Sequence, residues 1–291
     1  MLLFFPEEER FARRLASAIG CEPAPIERHR FPDGEIKLRL PERLPEKVVL
    51  LRGLDHPNEK LVELLLAGSG LHEAGVRRVV LAAPYFPYLR QDKAFAPGEV
   101  VSAFAVGRFV ASCVEALVTV DPHLHRIARL DEAIPVSPAL ALCAAPLLGE
   151  LAARERGRPL LVGPDEESRA WVEAAARAVG LDYAVGRKVR RGDRNVEVTL
   201  PQELNVRGRA VVVLDDVAST GRTLAQAVRA LHAAGAASVD VAVTHALFVE
   251  DALETVRAAG AGAIWSTDTI AHPTNAVSVA PLMAQALLAV L

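Results

Sequence analysis

Short runs of Val, Leu and Ala alternate along this chain with stretches of helical length and helical apolar spacing, and most runs end at polar or acidic residues. Residues 47–53, 78–83 and 116–121 read as strands, with helices between them over 58–74 and 100–113. The beat resumes with a strand at 159–163, a helix over 167–179 and strands near 182–187 and 209–215. A helix over 223–234 and strands near 237–244 and 262–267 follow. Such alternation predicts parallel sheets covered on both faces by crossover helices. A length of 291 residues favours two domains. Pro135, Pro138 and Pro146 punctuate an Ala/Leu stretch near 135–150, which places the expected boundary there. Two doubly wound α/β domains follow, residues 1–140 and 141–291. They are compatible with distant copies of one unit, although the residues show no convincing repeat. Residues 28–40 depart from the rhythm: alternation with a period of two from Glu35 onward makes them a hairpin arm.

Composition excludes several classes of function. With 51% hydrophobic and 24% charged residues the chain is an ordinary globular protein, and its net charge of −3 supplies no bulk attraction for nucleic acid. Cys21, Cys113 and Cys143 stand far apart without metal-ligand spacing and read as small buried hydrophobes in a reducing compartment. The apolar runs near 134–148 and 276–291 contain prolines, so no membrane span or membrane partner is expected. Met1-Leu-Leu-Phe-Phe-Pro6 is too short and too quickly acidic for a signal peptide, which leaves the cytoplasm as the expected compartment.

The most informative chemistry lies in residues 209–223, Arg-Ala-Val-Val-Val-Leu-Asp-Asp-Val-Ala-Ser-Thr-Gly-Arg-Thr. A buried strand ends in Asp215 and Asp216, and a small hydroxyl-rich loop leads into a helix at Thr223. Backbone N–H groups of a tight loop at a helix N-terminus form an anion cradle, and Gly221 permits close approach. Ser219, Thr220 and Thr223 add hydroxyl donors. Asp215 and Asp216 can accept hydrogen bonds from vicinal hydroxyls, so the whole string suits a sugar phosphate. An acid pair by itself would fit a solvated strand end with a helix cap equally well.

Two further acidic strand ends, Asp121-Pro-His123 and Gly163-Pro-Asp165, fall where open α/β sheets bind ligands. Hard oxygen donors of this kind, shared with phosphate oxygens, suit Mg²⁺. Arg90-Gln91-Asp92-Lys93 follows an aromatic turn at another strand end, and Lys188-Val-Arg190-Arg191-Gly-Asp-Arg194 is a cationic loop. Either could be a solvated turn. Beside acids and a phosphate loop, both become candidates for holding a polyphosphate.

In order and spacing these motifs resemble the ribose-phosphate pyrophosphokinase family, from about residue 28 to the end of the chain. The resemblance is carried by Arg30-Phe31-Pro-Asp33-Gly-Glu35, by residues 84–93, by Asp121-Pro-His123, by Pro164-Asp165-Glu166, by Lys188-Val-Arg190 and by 215–223. Residues 266–270 and 277–281 are similar to its closing segment, and 93–99 to its archaeal-type members. It implies two phosphoribosyltransferase-type domains, 1–140 on the ATP side and 141–291 on the ribose 5-phosphate side. The implied activity passes the diphosphoryl group of Mg-ATP to the anomeric hydroxyl of ribose 5-phosphate and releases AMP.

By position, the resemblance implies catalytic roles for Lys188 and Arg190, and contacts to ATP from Phe31, Asp33, Glu35, Arg90, Gln91, Asp92 and His123. His123 and Asp165 would meet Mg²⁺. Asp215, Asp216, Ser219, Thr220, Gly221, Arg222 and Thr223 would hold ribose 5-phosphate. It further implies a homo-oligomer in which the hairpin arm serves a neighbouring subunit's site. Arg222 departs from the family's usual glycine, and Leu124-His125-Arg-Ile-Ala-Arg129-Leu lacks its aromatic pair. Those departures keep open a catalytically weak regulatory homologue. A phosphoribosyltransferase is the other alternative, sharing the 215–223 type of loop but leaving the N-terminal half unexplained.

Overall fold

The β-branched and leucine-rich runs form strands, and the central ones are buried on both faces, as strands between two helical layers must be. The computed structural model describes residues 1–124, 126–191, 195–199 and 204–291, with the backbone alone at 188–191 and 195–198. Contacts divide the chain into two units, Met1–Leu142 with Val279–Leu291, and Cys143–Ser278.

The first unit contains β1 (Leu2–Phe4), α1 (Glu9–Ile19), β2 (Pro23–Pro25), the hairpin β3 (Glu27–Arg30) and β4 (Ile36–Arg39), β5 (Lys47–Leu51) and α2 (Pro57–Glu73). It continues with β6 (Arg78–Ala83), α3 (Ser102–Ala111), β7 (Ala116–Val120), α4 (Leu130–Ala133) and β8 (Ala139–Leu142). Its sheet runs β2-β1-β5-β6-β7-β8, parallel throughout. The antiparallel arm β3–β4 stands outside that sheet.

The second unit contains α5 (Ala145–Arg156), β9 (Leu160–Gly163), α6 (Arg169–Val179), β10 (Tyr183–Val185), and the hairpin β11 (Arg187–Arg191) and β12 (Asn195–Thr199). Then come β13 (Ala210–Ala218), α7 (Arg222–Ala233), β14 (Ser238–Ala246), α8 (Ala252–Ala258), β15 (Ile264–Thr267) and β16 (Asn275–Val277). Its sheet runs β10-β9-β13-β14-β15-β16, again all parallel. Both units therefore have one topology: each sheet takes its own strands in the order 2-1-3-4-5-6, with a hairpin between the second and third. The shared pattern is invisible to residue identity because the two units keep apolar positions rather than particular side chains.

Strand alternation fills two apolar layers. Val211, Val213, Val241 and Val243 pack with Leu224, Val228, Leu231 and Val256 of α7 and α8. The alternate residues Val212, Leu214 and Ala242 pack with Leu148, Leu151, Val172 and Ala176 of α5 and α6. Each fully buried Val or Leu side chain contributes roughly 1.5–3 kcal/mol relative to exposure.

The last helix, α9 (Ala280–Val290), belongs with the first unit, so a single cut near residue 140 does not describe this division. It buries Ala280, Met283, Ala284 and Leu287. Arg78 Nε donates to the Val290 carbonyl at 3.1 Å, and Lys47 Nζ donates to that of Leu291. Of the cysteines only Cys113 is buried; Cys21 is half-buried and Cys143 exposed. Among the described residues no helix is long and apolar enough to cross a membrane.

Glu8 closes the turn after β1 and is mostly buried. Its carboxylate accepts from the Gly53 N–H and meets Arg52 Nη1 at 3.2 Å, with Glu7 and Lys60 also acting on it. Burial nevertheless pushes its pKa from 4.5 up to about 7. The folded state then holds this proton more tightly than the unfolded chain. The stabilisation is fully present below the unfolded value and is lost as pH rises through the folded one. Glu8→Gln keeps an acceptor for Gly53 and is expected to melt close to the parent at about pH 5. At about pH 8 it should gain at most on the order of 3 kcal/mol, several degrees in Tm. Paired melts check this, and a Tm difference that ignores pH would mean Glu8 is ionised throughout.

Candidate active site

In the second unit β13 runs further than the apolar run suggests and includes both acids. Asp215 pairs in register with Val243, and the ladder continues through Val217 with His245 and Ala218 with Ala246. Asp216 is buried, Asp215 is half-buried, and the Asp216 N–H donates to Asp215 Oδ1 at 3.1 Å. The turn Ser219-Thr220-Gly221 follows, and α7 starts at Arg222, one residue earlier than its apolar spacing indicates. The Ala218 carbonyl accepts from Phe248 N at 2.8 Å and that of Ser219 from Val249 N at 3.1 Å, which clamps the turn to the segment before α8.

Gly221 has φ +69°, in the left-handed region that glycine alone enters without cost. A Cβ there would stand 2.8 Å from the Ala252 carbonyl oxygen and 2.9 Å from Val256 Cγ2. No acid occupies the first turn of α7, so nothing there offsets the positive end of the helix. Arg222 is exposed at the rim, and Thr223 is half-buried. The segment from Asp215 to Thr223 thus presents carboxylates, hydroxyls and the start of a helix together.

At the end of β9, Asp165 is buried, and its Oδ1 accepts from Glu167 N at 3.0 Å and Ser168 N at 3.3 Å. Ser168 Oγ returns a bond to the Asp165 carbonyl at 2.6 Å. A Cβ at Gly163 would strike that same Ser168 hydroxyl, so the chain must turn tightly here. Beyond β14 and β15 lies a buried hydroxyl network. Thr267 and Thr269 donate to the Thr244 carbonyl at 2.7 and 2.9 Å, and His245 Nδ1 is 2.9 Å from Thr269 Oγ1. Residues 266–270 therefore brace the carboxyl ends of these strands.

In the first unit, Asp121 follows β7 with φ +37° and is buried, and His123 is half-buried. Arg90 is exposed, and the Gln91 amide oxygen accepts from Ser102 Oγ at 2.9 Å. Asp92 points inward: its carboxylate is fully covered and accepts from Arg126 N at 3.1 Å and Arg126 Nη1 at 2.8 Å. Burial works against that charge, but the bonds from Arg126 outweigh it and hold the carboxyl below its usual range. The Arg126 side chain is half exposed, its guanidinium 5.6 Å from the centre of the exposed Phe95 ring, with Lys93 Nζ 5.1 Å from the same ring. Arg126 is a candidate contact that sequence reasoning missed, since nothing local ties it to Asp92.

The arm presents Phe31, Asp33 and Glu35 at its exposed tip. The tip closes through Phe31 N to the Glu35 carbonyl at 2.8 Å and Glu35 N to Asp33 Oδ1 at 3.1 Å. On β11, Lys188 pairs with Val198 and Arg190 with Val196. The side chains of Lys188 and Arg190 lie outside the described residues, as do His125 and Arg194.

Asp165 offers a hard oxygen donor oriented by two backbone bonds, and His123 offers an imidazole. Among the described residues no three His, Cys, Asp or Glu side chains stand close enough to hold a metal ion. A carboxylate such as that of Asp165 fits Mg²⁺, which keeps few protein ligands and takes the rest from water and substrate phosphates.

Residues 1–114 match the N-terminal domain of ribose phosphate pyrophosphokinase, and residues 137–258 match the phosphoribosyl transferase domain. A ribose-phosphate pyrophosphokinase of Methanopyrus kandleri is 39% identical over 289 residues, covering 98% of each chain. That of Methanosarcina acetivorans is 37% identical over 286 residues, covering 97% of each. Among solved structures, phosphoribosylpyrophosphate synthetase from Mycobacterium smegmatis superposes with a TM-score of 0.84 at 25% identity, over 100% of this chain and 98% of that one.

Proposed function

Because the chain belongs to the ribose-phosphate pyrophosphokinase family, we propose that it makes 5-phosphoribosyl 1-diphosphate from ATP and ribose 5-phosphate. The anomeric oxygen of ribose 5-phosphate bonds to the β-phosphorus of ATP and loses its proton. The bond from that phosphorus to the oxygen bridging to the α-phosphate breaks, and AMP leaves with the electron pair. The observation that carries this reading is the β13–α7 turn, where two carboxylates lead into a glycine-pinned helix start. Asp215 and Asp216 accept from the 2′ and 3′ hydroxyls, and residues 219–223 cradle the 5′-phosphate, with Arg222 as an added cation.

The second unit takes ribose 5-phosphate and the first takes ATP. Arg90, Gln91 and His123 contact the nucleotide, and Asp92 acts through Arg126, whose guanidinium it orients toward the polyphosphate. Phe31, Asp33 and Glu35 hold adenine. Lys188 and Arg190 stabilise charge on the transferred group and on departing AMP. His123 and Asp165 would each meet a Mg²⁺ ion, which would supply positive charge against the diphosphate. A homo-oligomer fits the exposed tip Phe31 and the exposed apolar face of α2 formed by Val62, Leu65 and Leu66. The cytoplasm fits a chain that consumes ATP.

The test is AMP release. It is expected only when ATP, ribose 5-phosphate and Mg²⁺ are all present, with 5-phosphoribosyl 1-diphosphate formed in equal amount. A clean preparation that binds both substrates without releasing AMP would support the regulatory homologue. Exchange of free bases onto the sugar would support a transferase.

A further inference from the structure

The arm that carries Phe31, Asp33 and Glu35 has almost no core of its own. No residue of β3 or β4 is fully buried; Ile36 and Leu38 are only partly covered. A two-stranded hairpin of this size is marginal in water, so something else must fix its direction. Charge does. Arg28 on β3 bonds Glu63 of α2 and meets Glu7 at 3.1 and 3.2 Å. Arg30, two residues on and hence on the same strand face, meets Glu59 of α2 at 2.7 and 3.3 Å. Beneath them Arg52, 1% exposed, bonds the equally buried Glu63, lies 2.9 Å from Glu7, and stacks over the Phe5 ring at 4.4 Å. Glu63 is thus a buried carboxylate held between two guanidiniums.

The common topology shows what this cluster replaces. After α2, Gly75 N and Val76 N bond the carbonyls of His72 and Leu71; after α7, Gly235 N and Ala236 N bond those of His232 and Leu231. Counting back from these matched ends, Glu63 corresponds to Thr223. Leu50 and Val213 lie in the layers that face α2 and α7, so Arg52 corresponds to Asp215. Ile26 N bonds the Phe4 carbonyl as Gly186 N bonds that of Gly163, which makes Arg28 and Arg30 the counterparts of Lys188 and Arg190. With 17 residues against 12, α2 also extends into the space where α7 is preceded by its turn. Where the second unit has an acid and a hydroxyl of the candidate cradle, the first has an arginine and a glutamate bonded to each other.

We propose that this filled cradle is an ionic latch: Glu63, Glu7 and Glu59 grip Arg28 and Arg30 and fix where the arm presents its tip, which makes these five side chains positioning residues for the nucleotide. The Glu63 carboxylate serves as a built-in anion at the place where the second unit takes a bound one. Glu7 and Glu59 are held ionised in this arrangement. At Glu7, burial opposes the charge but a backbone bond and the two guanidiniums prevail; at Glu59 the bond from Arg30 is the cause. α7 carries no acid, and its segment corresponding to Glu59–Glu63 is Ser219-Thr220-Gly221-Arg222-Thr223.

The latch rests on the assignment of the arm to ATP, so its test has one readout that needs no turnover. In Glu63→Gln and Arg28→Gln, amide hydrogen exchange across residues 27–39 is expected to accelerate about tenfold or more while the sheet amides of the same unit keep their rates. In steady state the same variants should raise KM for ATP by about three- to tenfold, with kcat and KM for ribose 5-phosphate within about twofold. If the inner variants do not fold, the exposed pair serves instead: Glu59→Arg should loosen the arm, and adding Arg30→Glu should restore it. Unchanged arm exchange, no restoration by the charge swap, or both KM values rising together would overturn the latch. A parent enzyme that releases no AMP would overturn the proposed activity, and the exchange result would still decide the latch.

Discussion

Lys188→Ala is expected to slow turnover about 10²–10³-fold, the loss that follows removal of one preorganised donor from a developing negative charge. In this transfer the protein makes no covalent bond to the diphosphoryl group, so positioning and charge stabilisation carry the rate. The position of Lys188 in the fold supports the role. Its counterpart Arg28 reaches Glu63, which stands where the second unit has Thr223 at the start of α7. A cation at this place in the architecture can therefore serve an anion seated at that helix. The fall should appear in kcat, with KM for ribose 5-phosphate within about twofold, because the cradle itself is untouched. Lys188→Arg should recover part of the rate, since charge is kept and only its shape changes. Parent-like AMP release by Lys188→Ala would refute the catalytic role.

The difference between Arg28 and Lys188 also explains which parts of the molecule were legible in its residues. The alternation of strands and helices was readable because each element carries its own periodicity. Leu2–Phe4 was not, being three residues long and followed at once by acids. Residues 135–150 read as a boundary because Ala, Leu and Pro mark neither period, although β8 and the start of α5 lie there. The return of α9 to the first unit is a long-range contact that no local pattern announces. Within the site, Asp215 to Thr223 could be read because its members are contiguous. The bond between Asp92 and Arg126 spans 34 residues, and the bridge from Arg28 to Glu63 spans 35. Charged residues in such pairs look like solvated surface until the fold buries them.

Gly221→Ala is expected to lower kcat/KM for ribose 5-phosphate by about 10²-fold or more, although it adds a single methyl group. Two costs coincide at this residue. The left-handed conformation at φ +69° costs an L-residue about 1–2 kcal/mol. The new Cβ would also press against the Ala252 carbonyl at 2.8 Å and Val256 at 2.9 Å. The first of these is backbone at the start of α8, which cannot rotate aside as a flexible side chain would. Relief must come from the turn itself, so the Ser219 and Thr220 groups and the first N–H groups of α7 leave the place where a phosphate would sit. The N–H bonds that clamp the Ala218 and Ser219 carbonyls resist that shift and spread it toward Asp216. KM for ATP should stay near the parent value, because the proposed nucleotide contacts Arg90, Gln91 and His123 lie in the first unit, outside this turn. Ser219→Ala, which removes a hydroxyl and leaves the backbone in place, should cost only about tenfold. A Gly221→Ala enzyme with parent-like KM for ribose 5-phosphate would place the sugar phosphate away from this turn.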